Sequence, residues 1–236
     1  MSKLTNVLSV MGGAAMLAIA AGQASANTIS FNFATTPGSL GTSRTFSATF
    51  NPGGPTVDLT ATGYKSQKHE TKLYYKQKST VETGLGLEDG PDQEIGKNGF
   101  IQLDLTSLLP YLTGSTLTIT IGSVQKSSKD AFAIHTSDQA GSWKDNSVVA
   151  SGNWNTLPAN GLATVNVKLG GTPARYLDIT ETGSSNDCSG SVLLHSFDIS
   201  TGATPTPEPA TIAMLAVGAL ALALPRRKRK TDAAAN

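Results

Sequence analysis

The chain has 236 residues, with 18 Lys and Arg against 17 Asp and Glu, and a single cysteine. A formal net charge of +1 gives no basic footprint of the kind that nucleic-acid binding needs. One cysteine excludes an internal disulfide, so the fold rests on packing alone.

At the N-terminus a lone Lys3 precedes VLSVMGGAAMLAIA, which is apolar and uncharged. Ala24-Ser25-Ala26 then places small residues at Ala24 and Ala26, where a signal peptidase cuts. Residues 1–26 are expected to be a signal peptide, and the mature chain is expected to begin at Asn27 and to be exported.

Residues 27–202 are expected to form one β-sandwich domain. Alternation of apolar and polar residues predicts strands over 28–34, 44–50, 56–62, 99–105, 116–124, 131–136, 162–169, 175–180 and 191–200. Gly, Pro, Asn, Asp or Ser bounds each segment. About nine or ten short strands without a helical stripe imply an all-β fold, an antiparallel sandwich of jelly-roll or Greek-key type. Its inward set is predicted as Phe46, Phe50, Ile101, Leu103, Ile119, Ile121, Phe132, Val165, Val167, Leu177 and Leu193. Residues 105–112 are expected to make one helical turn that Pro110 ends.

Between the predicted strands, KSQKHETKLYYKQKS (65–79) concentrates lysines. Lysines on an exposed strand block edge-to-edge pairing. Alternatively, Lys72 and Lys76 with Tyr74 form a patch for an acidic polysaccharide. Glu88, Asp89, Asp92 and Glu94 follow with Gly90 and Pro91. Hard carboxylate oxygens in a loop suit a structural Ca²⁺, although the order is not that of an EF-hand; a solvated acidic turn is the other reading. Trp143 and Trp154, the two tryptophans, sit in polar, turn-rich sequence. Such rings stack on sugars or fill cores. His69, His135 and His195 stand apart, without metal or nucleophile spacing. Cys188 lies in a turn-like run with no histidine nearby and reads as a free thiol. Asp89 with Asp104 is the carboxylate pair left for a hydrolytic reading. No catalytic residue is assigned.

Residues 203–209 form a Pro- and Thr-rich linker that is extended by its prolines. Residues 210–224 are fifteen uncharged residues, which as a helix cover roughly 22 Å against a hydrocarbon core of about 30 Å. Arg226, Arg227, Lys228, Arg229 and Lys230 follow, a cluster that holds such an end in the cytoplasm. TDAAAN (231–236) forms a tail. Taking Lys3 and these five from the 18 basic residues, and Glu208 and Asp232 from the 17 acidic ones, leaves 12 and 15, so the core carries about −3.

Pro207-Glu208-Pro209, the apolar stretch and the basic cluster together resemble the PEP-CTERM sorting signal of Gram-negative bacteria. The segments at 84–105, 132–143 and 192–200 are similar to a recurrent exported β-domain of PEP-CTERM proteins, with Gly96 where that pattern commonly has Asp. The resemblance implies an exosortase as a processing partner, after signal peptidase. It also implies residence at the cell surface or in an extracellular matrix or biofilm, with exopolysaccharide as a partner. Three readings of the sandwich stay open: a non-enzymatic polysaccharide-binding protein, a matrix lyase or hydrolase, and a passive membrane-anchored structural protein. No nucleic acid is expected as a partner. Contact with the membrane runs through the C-terminal segment before processing.

Intact mass of the protein from its native host, compared between membrane and extracellular fractions, is expected to place the termini at Asn27 and near 207–209. A mass retaining residues 226–230 would mark a permanent anchor instead.

Overall fold

The computed structural model describes residues 27–51, 53–125, 129–143, 147–155, 161–169, 174–183 and 190–201. Ala24, Ala26, Pro207, Glu208, Pro209, Arg226, Arg227 and Cys188 lie outside the described residues. Among the described residues, no helix is long and apolar enough to cross a membrane.

The described strands in chain order are β1 (Thr28–Asn32), β2 (Gly38–Gly41), β3 (Ser43–Thr49), β4 (Thr56–Ser66), β5 (His69–Thr71), β6 (Leu73–Gln77) and β7 (Thr83–Leu87). They continue as β8 (Phe100–Asp104), β9 (Thr116–Gly122), β10 (Ala131–Ser137), β11 (Val148–Asn153), β12 (Ala163–Val167), β13 (Tyr176–Glu181) and β14 (Leu193–Ser200). The first sheet has the order β12-β9-β14-β7-β6-β2, with β1 also on β14. The second has the order β11-β10-β13-β8-β4-β3, with β5 also on β4. Neighbouring strands pair antiparallel throughout, for example Leu177 opposite Leu103 and Phe197 opposite Ile119. From β7 onward every connection except the β10–β11 hairpin crosses between the sheets. This is the jelly-roll manner of closing a sandwich.

Period-two alternation puts one row of each strand between the sheets. Ile29, Phe31, Ile101, Leu103, Ile119, Ile121, Leu177, Ile179 and Phe197 are buried there, in one core. Burying each such side chain contributes about 1.5–3 kcal/mol. Of the expected inward set, Phe46 and Val165 are only partly buried, at the edge of this core.

Leu193 is buried but does not join it, whereas Val192 and Leu194 do. The cause is a bulge in β14 between Leu194 and Ser196. One extra residue reverses the alternation, so counting back by twos from Ile199 picks the wrong face.

Residues 105–112 form a 3₁₀ turn (Thr106–Leu108) and a helix, α1 (Leu109–Leu112). Pro110 lies in the first turn of α1 rather than ending the helix. At that position its missing N–H costs no helical hydrogen bond.

Candidate functional site

The acidic loop is built by glycines. In β7 the leucines Leu85 and Leu87 enter the core, so Gly84 and Gly86 face the other way. A methyl at Gly86 would collide with the Gln93 carbonyl, and one at Gly84 would lie 2.5 Å from the Leu194 carbonyl. Only bare backbone lets the Pro91–Gln93 turn lie against β7.

That turn brings Asp92 and Glu94 to Lys76. In β6, Leu73 and Tyr75 point into the core, which sends Lys76 to the outer face of the first sheet. There its Nζ donates to Asp92 Oδ2 at 2.5 Å and to Glu94 Oε1 at 2.6 Å. Ser123 Oγ also donates to Glu94 Oε1 at 2.8 Å, and Ser191 Oγ to Oε2 at 2.7 Å. Glu94 and Lys76 are both buried. Burial pushes the Lys76 ammonium down, but the Asp92 and Glu94 carboxylates outweigh it and hold its pKa above the ordinary lysine range. Lys76, in turn, lowers the pKa of Asp92.

The four carboxylates expected to hold Ca²⁺ are therefore engaged elsewhere. Glu88 accepts from Ser39 at 2.7 Å and pairs with Lys72 at 3.4 Å, while Asp89 accepts from Thr71 at 2.7 Å. Lys76 already supplies the positive charge for the other two. Among the described residues, no group of three or more His, Cys, Asp or Glu is placed to hold a metal ion.

Nor do Lys72, Tyr74 and Lys76 make a displayed basic patch. Lys72 is exposed, Tyr74 is half-buried and Lys76 is buried. The lysines that do line an open cleft are Lys65 and Lys97, together with Thr71 and Asp89. Lys97 had no signal in the sequence, because it lies on the far side of the acidic loop from the lysine-rich stretch.

The outer face of the second sheet carries a cluster of polar and aromatic residues. Opposite the core-facing Ile101, Leu103, Leu177 and Ile179, the same strands present Phe100, Gln102, Tyr176 and Asp178. All six residues of β13 are buried, so both its faces are covered. The covering segment is 138–143. Gln102 Nε2 donates to the Gln139 carbonyl at 3.2 Å, and Gly141 N–H donates to Gln102 Oε1 at 3.0 Å. Lys68 N–H donates to the Gly141 carbonyl at 2.8 Å. Gly141 has φ +70, and a methyl there would lie 3.0 Å from the Tyr64 ring.

Beneath this segment Tyr64 stacks on Phe100, with centroids 4.7 Å apart and planes 8° apart. Trp143 closes the segment, 5.0 Å from His135 and 6.4 Å from Phe100 between centroids. It is half-buried. Along the rim, the Arg175 guanidinium covers the Tyr176 ring at 4.9 Å and reaches Asp104 at 3.5 Å, and its backbone N–H donates to Asp138 Oδ1 at 3.4 Å. Asp178 is fully buried; it accepts from Gln102 at 2.7 Å, and its Oδ2 has no hydrogen-bond partner. Burial raises its pKa from 3.8 to about 7, against the opposing Gln102 hydrogen bond.

Trp154 is elsewhere. It packs against the main core, and its backbone N–H donates to the Asp130 carbonyl at 3.1 Å, at the start of β10. The two tryptophans thus sit at opposite ends of the β10–β11 hairpin and do not form one platform. Asp89 and Asp104 are also apart. Asp89 shares a cleft with Gly99, just before β8, whereas Asp104 ends that strand.

No family model and no curated protein matches the chain. Among solved structures it is similar to a xylan-binding module, CBM15, at 14% identity and a TM-score of 0.40, over 60% of this chain and 90% of that one. It is also similar to a mutant Xylanase10C from Cellvibrio japonicus in complex with xylopentaose, at 13% identity and a TM-score of 0.39, over 60% of this chain and 27% of that one. A cleaved adhesin domain of Lys-gingipain from Porphyromonas gingivalis is similar at 10% identity and a TM-score of 0.29, over 74% of this chain and 95% of that one. At these scores the likeness is loose and transfers no ligand or residue role.

Lys76→Met is expected to destabilise the fold by about 3–5 kcal/mol, because Glu94 stays buried without its cation. Adding Glu94→Gln should recover part of that loss in urea unfolding.

Asp178 sets a pH dependence of known sign. Its carboxyl holds a proton in the fold up to about pH 7, while the unfolded chain releases it near 3.8. The folded state therefore loses stability as pH rises from about 4 to 7, by an amount on the order of 4 kcal/mol. Asp178→Asn should remove this share of the slope when both proteins are unfolded across the window, leaving the smaller contribution of the same sign from Glu181, which burial raises from 4.5 to about 7.

Proposed function

We propose that this chain is an exported, non-enzymatic β-sandwich that binds extracellular polysaccharide at the outer face of the second sheet. In this reading signal peptidase removes residues 1–26. The PEP-CTERM-like tail directs the protein through an exosortase to the cell surface or matrix.

The observation that carries the binding reading is the seating of Trp143. A broad amphipathic ring is held from below by His135 and Phe100, while part of it stays at the surface. Fixing the ring in advance removes most of the entropy cost of stacking a sugar on it. Asp138, Gln139 and Arg175 are exposed at the same rim and offer hydrogen bonds to hydroxyl groups. With Lys76 buried and Lys72 paired to Glu88, stacking rather than charge is the basis of recognition. The separation of Asp89 from Asp104 favours binding over hydrolysis.

Binding of the full chain to the host exopolysaccharide, measured by calorimetry, tests this. Trp143→Ala is expected to weaken affinity at least about tenfold, or ~1.4 kcal/mol, with an unchanged far-UV spectrum. Trp154→Phe should bind as wild type. Unweakened binding by Trp143→Ala would refute the site, and shortening of the glycan during incubation would establish the enzyme reading in its place.

A further inference from the structure

Where β10 begins and β13 ends, two buried carboxylates meet. Asp130 precedes β10 and Glu181 closes β13, opposite Phe132. Asp130 is 1% exposed and Glu181 6%. Backbone N–H groups of Gln125 and Ser191 donate to Asp130 Oδ2 and Oδ1, at 2.7 and 3.1 Å.

Glu181 is treated differently from Glu94. Its Oε1 is buried and has no hydrogen-bond partner. Burial raises its pKa to about 7; the Gly183 N–H opposes this, the Asp130 charge adds to it and Lys97 opposes it. Lys97 is exposed, and among the described residues no cation forms an ion pair with Glu181. An anion left dry in this way is costly, and nearby like charge makes it more so.

Oxygen atoms and bare backbone surround that atom. A methyl at Gly190 would touch Glu181 Oε1 and lie 3.7 Å from Asp130 Oδ1. A methyl at Gly183 would lie 2.5 Å from Glu181 Oε1 and 2.9 Å from the Lys129 carbonyl. Two carboxylates and one carbonyl thus face one small region, beside the backbone N–H groups of Gly183 and Ala131 and, among the described residues, with no imidazole or thiolate ligand. Oxygen donors in irregular array suit Ca²⁺ better than Mg²⁺, which demands a strict octahedron, or Zn²⁺, which prefers nitrogen and sulfur.

We propose that Asp130, Glu181 and the Lys129 carbonyl form a Ca²⁺ site that clamps the start of β10 to the end of β13. It lies at the other end of β10 from Trp143 and is independent of polysaccharide binding.

The test uses the full chain stripped with EGTA. Ca²⁺ is expected to raise the melting midpoint by at least about 3 °C. Tb³⁺, standing in for Ca²⁺, is expected to emit on tryptophan excitation, because Trp154 adjoins Asp130, and Ca²⁺ should quench that emission. Glu181→Gln should melt in EGTA no lower than wild type and should lose both the Ca²⁺ shift and the emission. Trp154→Phe should keep the shift and lose the emission. A wild type that responds to neither ion overturns the proposal. So does a Ca²⁺ shift that survives Glu181→Gln, one abolished by Asp89→Asn, or Tb³⁺ emission that survives Trp154→Phe.

Discussion

A lysine ammonium taken out of water must find anions, and at Lys76 that requirement organises one end of the sandwich. Its partner Glu94 is held at the same time by Ser123, just after β9, and Ser191, just before β14. One buried ion pair therefore ties together β6, the acidic loop and the segments at the ends of two further strands. Such a pair adds little net stability over an apolar contact, but removing one member is severe. Its contribution is to specify a single path for the loop. Gly84 and Gly86 make that path sterically open, since any side chain there would meet backbone of the loop or of β14.

The second sheet answers a related problem on its other side. A strand such as β13, buried on both faces, leaves no water for its polar residues. Gln102 resolves most of this by serving three partners at once: Asp178, the Gln139 carbonyl and the Gly141 N–H. That bonding holds Gln139 and Gly141 against the sheet, and the half-buried Trp143 ring packs beside them on His135 and Phe100. The unmet demands at Asp178 Oδ2 and Trp143 Nε1 are an energetic cost of this arrangement.

Much of the fold was legible because burial between two sheets imposes period two. Strands such as TLTITIG and RYLDIT announce both their type and their inward row. Legibility ended where that period was disguised. TGLGL reads as a turn because its outward positions are glycine, and β14 hides a bulge that no local pattern marks. GSLG and HET are too short and too polar to stand out.

The sequence by itself determined the all-β class, the antiparallel sandwich and most of the core, since alternation is a local property of the chain. It also singled out Trp143, Lys76, Asp92 and Glu94, but not Asp178, Asp130 or Glu181. Only the tertiary structure decided what those residues do. Lys76, typical of a surface in sequence, is buried because carboxylates 16 and 18 positions away fold back onto it. Trp143 and Trp154 look alike in sequence but part to opposite ends of a hairpin, one on the outer layer and one against the core. Asp130 and Glu181, far apart in the chain, meet because β10 and β13 are neighbours. Charge pairing and desolvation depend on distance in space, and that distance is set by strand order, which alternation does not encode.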